Sequence, residues 1–211
     1  MKTDELIDLL ARNVEPAERP RWRRRMALTL LAGLAVAVAL VAIGLGVRPD
    51  IGAARMPIMM KALFSAFAAA VMLPLAARLM QPGKPLGWRI GAILVFVAAC
   101  AVACAVALMG EAPGERMRAL TGGTFPWCVV FIPILAVPTA AGLVWLMRAF
   151  APTRLTLTGA AIGALSGGVG AMAYAMYCSV DSVAFVTLWY VLGIALSAAI
   201  GALVGSRLLR W

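Results

Sequence analysis

The chain of 211 residues is 64% hydrophobic, and only 13% of it is Asp, Glu, Lys or Arg. A soluble globular domain is nearer half apolar and a quarter charged, so this composition points to a bilayer. The net charge of +10 is spread over the ends of apolar runs instead of forming a basic face, which argues against direct contact with nucleic acid.

The first 25 residues, "MKTDELIDLLARNVEPAERPRWRRR", form the only sizeable segment ahead of the apolar runs. Thr3 can cap a short helix, with Asp4 and Glu5 in its first turn, where acids suit the helix dipole. Leu6, Leu9 and Leu10 share a face, with Ile7 at its edge, and Asn13 and Pro16 mark a stop. So short a helix is marginal alone in water and needs a surface to cover its apolar face. That surface is either the membrane, helped by Arg23, Arg24 and Arg25, or a protein groove. The acids on the helix itself, Asp4, Glu5 and Asp8, favour the protein.

Six runs then have the length and apolarity of a membrane span, at about 26–47, 57–80, 88–109, 125–147, 155–177 and 185–208. Turn signals separate them: Arg48-Pro49-Asp50, Gln81-Pro82-Gly83, the stretch from Gly110 to Gly123, and Ala151-Pro152-Thr153. The first run is too long for the core of a cleaved signal peptide and follows an acid-containing tail, so it counts as a span. The expected architecture is all-α: a short cytoplasmic tail over residues 1–25 and a six-helix transmembrane bundle over 26–211.

Orientation follows from Lys and Arg. One set of segments carries Lys2, Arg12, Arg19, Arg21, Arg23, Arg24, Arg25, Arg78, Lys84, Arg89, Arg148, Arg154, Arg207 and Arg210, fourteen of the nineteen; the other carries Arg48, Arg55, Lys61, Arg116 and Arg118. The richer side is cytoplasmic by the positive-inside rule, which puts both termini inside. Trp88, Trp145 and Trp211 then suit one interfacial belt, and Trp127, Tyr174 and Tyr177 the other.

No Asp or Glu falls within the six runs, which disfavours an ion-coupled transporter. Lys61, near the outer end of the second run, is expected to snorkel to the interface. Pro74, Pro133 and Pro138 lie inside runs two and four and are expected to bend them. In the fifth run Gly159, Gly163 and Gly167 recur every four residues, and the sixth continues with Gly193, Ser197, Gly201 and Gly205. Small residues at that spacing let two helix backbones approach in lipid, so these runs should form a tight antiparallel hairpin, with Asp181 or Ser182 capping the second helix.

The chain has no His, no CxxC and no phosphate-cradling glycine loop, so it is not read as an enzyme and needs no cofactor. The remaining enzymatic alternative is a membrane thiol-disulfide oxidoreductase. Cys100 and Cys104, four apart on one helix, read as small buried hydrophobes. Cys128 and Cys178 fall at similar depth near the outer side of runs four and five, where disulfides can form in a periplasm. They are either a sensing pair or two unrelated small apolar residues.

The opening "MKTDELIDLLA", "LGVRPDI" with the later Lys61, "APTR" at 151–154, Cys128 ahead of a proline-bearing run, the spaced Tyr174, Tyr177-Cys178, Asp181-Ser182, Phe185 and Trp189-Tyr190, and the closing "LLRW" resemble the NrsF-like family. These are six-span bacterial inner-membrane anti-sigma factors for extracytoplasmic-function sigma factors. The resemblance runs along essentially the whole chain. It implies that the cytoplasmic side sequesters a sigma factor, with Asp4, Glu5, Leu6, Ile7, Leu9 and Leu10 the segment assigned to binding it. It also implies that Cys128 and Cys178 take part in sensing a periplasmic stimulus. The family usually has His before the second cysteine, where this chain has Tyr177, which counts against a Cys–His metal site. Oxidation, or capture of a soft metal ion by the two thiols themselves, becomes the expected trigger.

Overall fold

The computed structural model describes residues 22–80, 87–122, 127–150 and 152–210; the tail residues assigned to the partner lie outside this set. The described residues form seven helices and no strand. Six are long and apolar enough to cross a membrane: α1 (Trp22–Leu45), α2 (Arg55–Leu79), α3 (Trp88–Met109), α5 (Cys128–Arg148), α6 (Leu155–Tyr174) and α7 (Val183–Leu208). The short α4 (Arg116–Thr121) sits in the connection between α3 and α5, which the sequence marks only as a turn-rich stretch. The first span begins at Trp22, so it includes the arginines at 23–25 that the hydropathy reading left in the tail.

In a bilayer every backbone N–H and C=O must be satisfied within the chain, so apolar runs of this length become helices even where intrinsic propensity is poor. α6 is the clearest case. Five glycines would weaken it in water, yet it is the most deeply buried span and packs against α1, α2, α5 and α7. Large apolar side chains cover the outward faces of the others, among them Leu31, Leu63, Phe67, Leu94, Val95 and Leu203. α3 is the most peripheral, held by α2 through the rings of Phe64, Phe67 and Phe96 and by the first turns of α7.

The α6–α7 hairpin is built on missing side chains. A Cβ on Gly159 would land on the Gly201 carbonyl, one on Gly163 on the Ser197 carbonyl, and one on Gly201 on the Gly159 carbonyl. A Cβ on Gly167 would stand 2.9 Å from Ser197 Cβ, and one on Gly205 would stand 2.6 Å from Gly159 Cα. Gly193 differs from the expected pattern: it faces α5, where its Cβ would stand 2.9 Å from Ile132 Cδ1 and 3.2 Å from the Cys128 carbonyl. The glycine pattern of α7 therefore serves two neighbours, because its N-terminal half turns toward α5.

Two helices carry wide turns the sequence did not signal. The last turn of α1, Val41–Leu45, is π-helical and closes on Gly46, whose φ of +84° only glycine adopts freely. The second turn of α7, Val186–Tyr190, is also π-helical, and the Thr187 hydroxyl donates to the Val183 carbonyl at 2.7 Å. Ser182 stands at the start of α7 but makes no capping hydrogen bond, and Asp181 is engaged elsewhere, so the expected side-chain cap is absent.

Candidate sensing site at the Cys178 end

Three connections meet at one end of the bundle: the α1–α2 segment, α4 with its flanks, and the turn from α6 to α7. They are stitched together by backbone and side chain. The Arg48 amide donates to the Met176 carbonyl at 3.2 Å, and the Trp189 indole donates to the Leu120 carbonyl at 2.7 Å. Gly122, with φ of +63°, sits against the Val180 side chain.

Cys178 lies four residues beyond α6, in this turn, and its amide donates back to the Tyr174 carbonyl at 3.1 Å. Both it and Cys128, in the first turn of α5, are buried free thiols. They belong to the same packed core and lie within electrostatic reach of each other. The fully buried Tyr190 from α7 lies within the same reach of both. Aromatic rings wall this region. Phe131 stacks on Tyr174 at 6.2 Å between centroids and meets Tyr177 edge-on at 6.1 Å; Tyr174 meets Tyr190 at 6.0 Å. Tyr174 was expected in an interfacial belt, but it is buried, because these contacts turn it inward; Trp127 does remain exposed. A cleft of about 380 Å³ opens beside Cys178, which lines it with Arg48, Trp127, Tyr174 and Tyr177 among others. The Cys178 thiol points back along its own turn toward the Val180 carbonyl, 3.8 Å away.

Beside the thiols is a charge cluster that the hydropathy reading missed. Arg48 and Lys61 have side chains only 4% exposed. Lys61 Nζ pairs with Asp181 Oδ1 at 2.6 Å and donates to the Cys178 carbonyl at 2.9 Å. Arg48 pairs with Asp50 at 2.7 Å and Asp181 at 3.1 Å, and its Nη1 donates to the same Cys178 carbonyl at 3.2 Å. Lys61 therefore does not snorkel: its ammonium turns inward because an acid and a carbonyl are waiting there, and buried cations persist only with such partners. The signal was present in the sequence as two cations and two acids near the same ends of the apolar runs, but only the fold brings residues 48, 61 and 181 together.

The electrostatics are mutually supporting. Hydrogen bonds to Asp50 and then Asp181 raise the Arg48 pKa above its ordinary value against the effect of burial. The Arg48 hydrogen bond holds the Asp50 carboxyl below the usual carboxylate range. For Asp181 burial pushes the other way, but hydrogen bonds and charge from Arg48 and Lys61 outweigh it, and its pKa is also lowered.

The other cysteines are on α3, away from this turn in sequence. Cys100 is buried, and the Cys104 thiol donates to the Ala184 carbonyl at 3.6 Å. Among the described residues no group of three or more His, Cys, Asp or Glu side chains is placed to hold a metal ion. Cys128 and Cys178 supply two soft donors, which suits a two-coordinate soft cation and falls short of a closed four-ligand site.

A sequence model of the family described as "NrsF: Negative regulator of sigma F" matches residues 10–211. The chain is 36% identical over 213 residues to the probable anti-sigma-F factor NrsF of Azospira oryzae. It is 36% identical over 216 residues to the anti-sigma-F factor NrsF of Caulobacter vibrioides, and both pairings cover 100% of each chain. No solved structure matches the chain.

Proposed function

The chain belongs to the NrsF family of negative regulators of sigma F, and from that premise we propose that it is an inner-membrane anti-sigma factor whose hold on its partner is released by a thiol-reactive stimulus in the periplasm. The partner is a sigma factor of the extracytoplasmic-function type. The tail, through Asp4, Glu5, Leu6, Ile7, Leu9 and Leu10, presents an acidic and apolar helix face to it. Sequestration works by mass action: sigma factor held on the membrane is withdrawn from RNA polymerase. Both termini are cytoplasmic, so the Cys178 end faces the periplasm.

The observation that carries the sensing half is that Cys128 and Cys178, from separate elements, are both buried free thiols within electrostatic reach of each other, with Cys178 bordering an open cleft. Two reactions fit that pair. An oxidant takes two electrons and two protons from the thiols as a disulfide forms, or a soft metal ion displaces the two protons and binds both sulfurs. Either links α5 to the α6–α7 turn. A stimulus shifts the equilibrium only by its differential affinity for the holding and released states.

The test is a sigma-dependent reporter in cells carrying the wild-type chain, Cys128→Ser or Cys178→Ser, exposed to diamide and to cadmium. Each serine variant is expected at wild-type abundance in membranes, repressing normally but failing to respond. Wild-type responses in both variants to both treatments would end the thiol reading.

A further inference from the structure

We propose that the backbone carbonyl of Cys178 is the point where the state of the thiols is passed to α1, with Arg48 and Lys61 as a latch on that carbonyl and Asp181 as its anchor. This rests on the reading of Cys178 as a sensing thiol and adds the route by which its reaction reaches the far end of the bundle.

The contacts are concentrated on one short turn. Residues 176–181 are gripped by the Arg48 amide on Met176, by Arg48 Nη1 and Lys61 Nζ on the Cys178 carbonyl, and by both cations on Asp181. Arg48 follows the end of α1 by three residues, and Lys61 lies in the second turn of α2. Two helices thus read the position of a single carbonyl, and it belongs to the residue whose side chain reacts.

Packing makes that carbonyl responsive. Cys178 is 5% exposed, and its sulfur is folded back toward Val180. Although Cys178 borders the cleft on one side, a new bond or a bound ion on the sulfur draws it away from the Val180 carbonyl it faces across its own turn, and the packed side of that turn does not yield space freely. The turn must shift and carry its carbonyl with it. Lys61 and Arg48 then keep their acids but lose a shared acceptor in a buried setting, and a lost hydrogen bond to a buried charged donor is costly enough to separate two arrangements.

α1 is the element best suited to respond. Its buried residues are few, Met26, Gly33, Ala37 and Val41, and beyond the latch it is held mainly by α5 and α6. Its other end begins at Trp22, within the 1–25 tail whose earlier residues are assigned to the sigma factor. Freed at Arg48, α1 changes how that tail is presented. A tie serving stability alone would be as good on any other carbonyl.

The experiment uses full-length chain in its own membrane with the sigma-dependent reporter, without any stimulus. Lys61→Met keeps the apolar stem and removes the donor; Lys61→Arg keeps the charge. Lys61→Met is expected to raise the unstimulated reporter about 5-fold or more, the scale of a typical coupling free energy, with both thiols still free to alkylation and chain abundance unchanged. Lys61→Arg is expected to stay repressed. A Lys61→Met chain that remains repressed and fully inducible overturns the latch while leaving the thiol reading intact. A constitutive Lys61→Met beside serine variants that still respond sinks the thiol reading instead. Should Lys61→Met fail to accumulate, hydrogen exchange on the wild-type protein decides. Diamide treatment is expected to raise exchange at 46–54 and 175–182 together, and unchanged protection at 46–54 overturns the latch.

Discussion

Gly163→Ala tests the hairpin that fixes the frame of the site. The new methyl would land on the Ser197 carbonyl, 2.8 Å from the Ser197 carbonyl carbon and 2.9 Å from Ala198 Cα. All three are backbone, so no side chain can swing aside; α6 and α7 must separate by roughly an ångström or more to restore the ordinary contact of about 3.5–4.0 Å. Overpacking of this kind costs about 1–3 kcal/mol, while alanine in place of glycine returns up to about 1 kcal/mol of helix propensity. The expected net loss is about 1–2 kcal/mol. Gly91→Ala in α3 is the internal control: its Cβ would meet nothing within 4 Å, so only the propensity gain of a few tenths to about 1 kcal/mol remains. Denaturant titration of both variants in detergent micelles, followed by far-UV circular dichroism, reads the difference. Equal stability of Gly163→Ala and wild type, or an equal loss in Gly91→Ala, would refute the close-approach argument.

Asp181→Ala removes the acid shared by two buried cations. Breaking a buried pair costs about 3–5 kcal/mol, and because the Asp181 side chain is 37% exposed the expected loss is nearer ~2 kcal/mol after solvent screening, visible as a lower unfolding midpoint. In the wild-type chain Asp50 and Asp181 both have lowered pKa values. The stability they contribute is therefore fully present above the ordinary carboxylate pKa of about 4 and is lost as pH falls through their lower folded values. Unfolding midpoints are expected to be flat with respect to these groups from pH 7 to 5, and the gap between wild type and Asp181→Asn should close only in stronger acid. Thr158 carries a fully buried hydroxyl with no hydrogen-bond partner among the described residues. Thr158→Val is expected to raise the stability by up to about 1 kcal/mol, measured by the same titration. Trp189→Phe loses the hydrogen bond to Leu120 and is expected to cost about 1 kcal/mol, with faster proteolysis in the α4 connection.

How much of this was legible in the sequence depends on the range of the interaction. The six spans followed from apolar runs alone, because lipid leaves the backbone no choice but helix. The i, i+4 glycines of α6 announced a close neighbour, since their periodicity is local. The face of Gly193 was not legible, because the π turn before it rotates α7, and nothing in "VTLWY" signals a wide turn. Lys61 was misjudged for a related reason. Near the end of an apolar run a lysine ordinarily reaches for water, and only the folded chain brings Asp181 and the Cys178 carbonyl within its reach. Tyr174 was taken for an interfacial residue on depth alone, while its burial depends on Phe131, Tyr177 and Tyr190 from three places in the chain. Cys128 and Cys178 were legible only as lying at equal depth; that both are buried within electrostatic reach of each other is tertiary.

The central claim, that this bundle holds a sigma factor by its tail, is tested most directly by purifying the full-length chain in detergent from its own cells beside a variant lacking residues 2–20, and identifying what co-purifies. The account predicts a sigma factor with the full-length chain and none with the truncated one. A sigma factor retained equally by the truncated chain would move the binding surface to the bundle. No sigma factor with either would contradict sequestration itself.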